Sequence, residues 1–138
     1  MRIKPLATSD RFSVVAVMDG SACPAEEFLL SGEESTRSSR EGLLLMLDRV
    51  SEDGWQGVPA AWTHEADKAR GIYEFIKGPL RLFFFKGERG QIAVCTCGVR
   101  KTGQKANKAA VDRAARLRDA YFEALKNNTL TMVDENGT

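Results

Sequence analysis

The chain has 138 residues, of which 43% are hydrophobic and 28% charged. That is one domain's worth, with enough apolar residues to fold around a core, so whole-chain disorder is excluded. No apolar run reaches the length of a membrane span and no apolar signal segment follows Met1, so a cytoplasmic protein without membrane contact is expected.

In chain order, Arg11 to Met18 alternates as a strand, and both of its faces are mostly apolar, so coverage on both sides is expected. Asp19 and Gly20 signal a turn. Pro24 with Glu26 and Glu27 suits the first turn of a helix whose apolar side is Phe28, Leu29 and Leu30. A second helix starts between Ser35 and Ser39, where Ser38 and Glu41 fit a capping box. Leu43, Leu47 and Val50 give it a stripe, broadened by Leu44 and Met46, and Gly54 stops it. Val58 to Arg70 shows no period.

Strands then take over. Gly71 to Ile76, Leu80 to Phe85 and Gln91 to Cys97, separated by turns at Lys77–Pro79 and Lys86–Gly90, predict an antiparallel meander. Gly98 marks a break or bulge after the last of them. Ala110, Ala114, Leu117, Tyr121 and Leu125 predict a helix from about Asn107 to Lys126, with Tyr121 in the core. Residues 131–138 are expected to fray. The order strand, helices, strands, helix gives an α+β fold: a twisted antiparallel sheet with N-terminal helices and a C-terminal helix packed on it.

The cysteines are Cys23, Cys95 and Cys97, and the only histidine is His64. An odd cysteine count argues against a disulfide framework. Cys95 and Cys97 are spaced to share a strand face, but too few ligands accompany them for zinc, so no metal site and no cofactor are expected. The charge is unevenly spread: residues 68–118 hold 13 Lys/Arg against 3 Asp/Glu, a net of +10 in a chain whose total is +1. A basic block of this size suits a polyanion.

The residues from Gly71 to Phe75 and from Leu80 to Phe85, followed by the Gly98 to Lys105 segment and an alanine- and arginine-containing helix, resemble the RelE/HigB-like toxins, phage-related HigB-type branch. The resemblance spans roughly residues 12–126. It implies one RelE/HigB-like domain over residues 1–130, a type II toxin that cleaves mRNA on the ribosome without a metal, and a small DNA-binding antitoxin as partner. It also implies roles for basic side chains. Arg81 would clamp the phosphate from a rigid strand, the alternative being an edge arginine that blunts strand pairing. Arg100 and Lys101 would act from a loop after the last strand, and Lys77, Lys105 and Lys108 would hold the RNA backbone. His64 is a candidate general base, Glu74 a support for the basic cluster, and Tyr73, Trp55 and Trp62 are core residues more readily than base-stacking ones. Lys77 stands where the family commonly has arginine, and the loop shows no equivalent of its active-site tyrosine. These departures carry the alternative, a non-catalytic module of the same fold that binds RNA or a protein.

Overall fold

The computed structural model describes residues 1–101 and 107–134. Its strands are β1 (Arg2–Thr8), β2 (Ser13–Val17), β3 (Thr63–Asp67), β4 (Ile72–Lys77), β5 (Leu80–Phe85), β6 (Gln91–Arg100) and β7 (Thr131–Met132). Its helices are α1 (Pro24–Leu30), α2 (Arg37–Asp53) and α3 (Lys108–Lys126). The strands form one seven-stranded sheet in the order β3-β4-β5-β6-β2-β1-β7. The fold is thus mixed α+β with a mostly antiparallel sheet.

Alternation in the strands sends side chains into two cores. On one face Val14, Ala16, Phe75, Leu82, Phe84 and Cys95 pack with Leu29 of α1 and Leu43, Leu47 and Val50 of α2. On the other, Ile3, Val15, Val17, Phe83, Phe85 and Val94 pack with Val111, Ala114, Tyr121 and Leu125 of α3. The expected two-sided burial of β2 follows from its place in the middle of this helix–sheet–helix sandwich.

Several elements differ from the sequence reading. The sheet is not wholly antiparallel: β2 runs parallel to β6, and β1 parallel to β7. The two helices between β2 and the meander supply the long connection that parallel pairing needs. Strand β1 carries no local signal, because Lys4 and Pro5 interrupt its alternation, and the ladder shifts register between Pro5 and Ala7. Strand β3, inside the stretch read as irregular, has no apolar alternation and is held by its ladder with β4. In the tail expected to fray, Thr131 and Met132 pair with β1, and buried Val133 donates its N–H to the Ile3 carbonyl at 2.8 Å.

The capping box does not form. A 3₁₀ turn over Glu34–Thr36 leads directly into α2, the Arg37 N–H is satisfied by the Glu34 carbonyl, and Ser38 lies already inside the helix. In α1, Leu29 is buried and Phe28 half-buried, but Leu30 is 67% exposed, because a seven-residue helix places only part of its circumference on the sheet. Gly54 ends α2 with a φ of 72°, as a C-terminal stop should.

Strand β6 does not end near Gly98 but continues to Arg100. The bulge lies earlier: Leu82 pairs with Gly98 and Phe84 with Cys95, so Phe83 faces two residues, Thr96 and Cys97. The extra residue reverses the alternation. Cys95 therefore enters the α1/α2 core while Cys97 packs toward α3, and the two do not share a face.

Candidate functional site

The face of the sheet that carries α3 also carries a charged cluster. His64 on β3 pairs directly across the ladder with Glu74 on β4, and Arg81 on β5 lies diagonally from Glu74, opposite Ile76. Cross-strand and diagonal neighbours on one face are within reach of long side chains. One oxygen, Glu74 Oε1, lies 3.4 Å from His64 Nδ1 and 3.9 Å from Arg81 Nε. Burial grades across the cluster: the side chains of Glu74 and Arg81 are 13% and 16% exposed, that of His64 66%.

Arg81 is not an edge residue. Strand β5 lies between β4 and β6, so the ladder on both sides fixes its backbone. Its guanidinium turns back on its own hairpin, Nη1 donating to the Gly78 carbonyl at 2.8 Å and the Leu80 carbonyl at 2.9 Å. Its Nε is buried and has no hydrogen-bond acceptor among the described residues. A buried donor in this state is stabilised by a nearby anion, and the Glu74 carboxylate supplies one.

The other basic residues do not join this cluster. Arg100 is the last residue of β6 rather than a loop residue, and Nη1 pairs with Glu33 Oε2 at 2.9 Å. With Phe28, Arg40 and Leu80 it lines a shallow pocket on the α1/α2 side, opposite Arg81. The strand's length and alternation decide this: Val99 packs toward α3, so the next residue turns the other way. Lys101 is exposed just after β6, its backbone N–H donating to the Pro79 carbonyl at 2.7 Å. The stem of Lys77 lies over Gly42 of α2, again away from Arg81. Lys108 is exposed at the first position of α3, whose N-terminus is capped by the Asn107 side chain accepting from the Ala110 N–H. Lys105 lies outside the described residues.

The tryptophan and tyrosine side chains pack in or against the cores. Trp55 stacks on Phe84 at 5.3 Å and on Phe75 at 5.9 Å, and Tyr73 stacks on Phe84 at 5.5 Å. Lys86 Nζ caps Tyr73 and Trp55 at 4.9 and 5.5 Å from their ring centroids. Trp62 packs half-buried against the same core. Tyr121, the other tyrosine, is fully buried under α3, and its hydroxyl donates to Gln91 Oε1 at 2.6 Å and accepts from the Glu88 N–H at 3.1 Å. Neither tyrosine stands beside His64 and Arg81. Among the described residues no group of three His, Cys, Asp or Glu side chains is placed to hold a metal ion, and no helix is long and apolar enough to cross a membrane.

Sequence reasoning named each cluster member but missed their meeting. Without β3, nothing placed His64 across from Glu74.

These observations define a mixed α+β protein with a charged cluster on one face of its meander. Residues 36–119, from the start of α2 through most of α3, match the family model described as Phage derived protein Gp49-like (DUF891), and the chain belongs to that family. The family is of the RelE/HigB-like toxin kind. The match contains His64, Glu74, Arg81, Arg100 and Lys101 and leaves out β1, β2 and α1. No curated protein matches the chain.

Proposed function

We propose that this chain is the toxin of a type II toxin–antitoxin pair, of the HigB-type branch, forming one domain over residues 1–130. Its activity on this reading is endoribonucleolytic cleavage of mRNA on the ribosome, in the cytoplasm. The observation that carries it is the gathering of His64, Glu74 and Arg81 on one face of the meander, within the span that matches the Gp49-like family.

The chemistry asks for three things: a base for the ribose 2′-hydroxyl, positive charge at the phosphoryl oxygens, and a proton for the leaving oxygen. His64 accepts the 2′-hydroxyl proton as that oxygen bonds to the adjacent phosphorus. Arg81 stabilises the charge on the phosphoryl oxygens, its planar fork suiting that geometry. The bond from phosphorus to the 5′-oxygen breaks, and that oxygen takes its proton from water. The products are a 2′,3′-cyclic phosphate and a 5′-hydroxyl. Side chains supply the charge, so the step needs no metal. Lys105 and Lys108 hold flanking RNA. A small DNA-binding antitoxin silences the toxin by covering the open cluster with acidic and apolar groups.

Regulated expression in a bacterial host tests this. Wild type should arrest growth and create new in-frame mRNA 5′ ends, and Arg81→Ala should abolish both. Normal growth and intact mRNA with soluble protein present would overturn the toxin reading in that host.

A second reading is a non-catalytic module of the same fold that binds RNA or a protein. The position of the tyrosines favours it, since Tyr73 faces the other core and Tyr121 is buried. It predicts RNA affinity that falls steeply with salt, and no cleavage products.

A further inference from the structure

The geometry points to Glu74 as a positioning residue that fixes the tautomer of His64. This rests on the proposed use of His64 as the base, and it concerns how the base is held rather than which RNA is cut.

Glu74 is enclosed where His64 is open. A carboxylate at 13% exposure in an inner strand must be compensated by nearby donors. Among the described residues its ion-pair partners within 4 Å are Arg81 and His64, and both approach the same oxygen. Arg81 is a permanent cation. The carboxylate is therefore shared between a fixed charge and an imidazole, and what it gives the imidazole is orientation.

The ring presents Nδ1, not Nε2, to Oε1 at 3.4 Å. In the neutral ring one nitrogen carries the proton and the other a lone pair, and a neighbouring acceptor selects which. The negative charge 3.4 Å from Nδ1 favours a proton on that nitrogen, which leaves the lone pair on Nε2. That is the form a general base requires, with the base oriented by a third group. The direct cross-strand pairing of the two residues sets their spacing by the ladder rather than by a mobile loop. Arg81 Nε lies 3.9 Å from the same oxygen and adds a fixed positive charge beside it.

A single histidine makes this measurable without an RNA assay. In protein labelled with ¹⁵N-histidine, long-range proton–nitrogen correlation at a pH where the ring is neutral reads the tautomer from one pair of nitrogens. The wild type should show a protonated Nδ1 and an unprotonated Nε2. Glu74→Met keeps the stem and removes the acceptor, and the population should move to the Nε2–H form that an unpartnered histidine side chain prefers in water. Glu74→Gln, which retains an acceptor oxygen, should keep the Nδ1–H form. Arg81→Met should keep it too, because Glu74 remains.

A wild-type ring predominantly in the Nε2–H form would overturn the assignment, and this needs no variant to fold. An unchanged tautomer in folded Glu74→Met would overturn it as well. Growth arrest by the wild type is scored separately: its absence removes the cleavage reading and leaves the tautomer result standing, whereas an Nε2–H ring in a toxic wild type removes Glu74's role and leaves the nuclease.

Discussion

Tyr121 shows how a polar atom is accommodated in the core under α3. Its ring is fully buried and meets Phe85 edge-on at 5.3 Å and Phe122 at 5.1 Å. Its hydroxyl reaches the turn between β5 and β6 through Gln91 and the Glu88 amide. Burial pushes the hydroxyl up from its ordinary titration range, so it stays protonated and keeps donating to Gln91. Tyr121→Phe leaves the Glu88 N–H and the Gln91 side chain without that partner. Urea denaturation should show a loss of about 1–2 kcal/mol. An unchanged midpoint would mean that water replaces the hydroxyl at the turn.

At the scale of elements, the contact between α1 and β6 depends on an absent side chain. A Cβ built on Gly98 would overlap the Phe28 ring. Glycine in the strand thus serves close approach of the ring, while the bulge is located at Thr96 and Cys97. Gly98→Ala should cost about 1–3 kcal/mol through overpacking. A double-mutant cycle with Phe28→Ala checks the cause: most of the penalty should vanish once the ring is gone. If the alanine cost persists without Phe28, the glycine is needed for the strand's backbone instead.

Across the molecule, all three thiols lie in or against the two cores. Burial pushes Cys23, Cys95 and Cys97 up from the ordinary thiol range. The thiolate is the reactive form, so a raised pKa means less of it at a given pH. Native protein should therefore react slowly with iodoacetamide near neutral pH, and all three sites should label together once denaturant unfolds the chain. Fast native labelling of Cys97, which is only half-buried, would show that the packing between β6 and α3 opens locally.

Fold class and most element positions were legible in the sequence because they rest on local period. Residues such as Leu43 and Leu47, or Ala110 and Ala114, recur at helical spacing wherever the chain goes. Glycine turns at Gly54 and Gly78 likewise carry their own backbone preference, with φ of 72° and 54°. Strands β1, β3 and β7 lack such a period, and their order comes from a neighbour's hydrogen-bonding edge, which no local pattern contains.

The site divides in the same way. Residue types named its members: arginine for phosphate, the lone histidine for proton transfer, a glutamate among basic groups. Only the tertiary structure decided which of them meet. One bulge residue in β6 sends Cys95 and Cys97 to opposite faces, and the strand's extension to Arg100 turns that arginine toward Glu33 and away from Arg81. The +10 of the middle block is likewise divided between two faces. Part of it is compensated by acids from elsewhere in the chain, as in Arg113 with Asp19 and Arg100 with Glu33. Side-chain chemistry is carried residue by residue and survives any fold. Which face a side chain takes depends on the parity of every residue before it in the strand, and a single inserted residue reverses it.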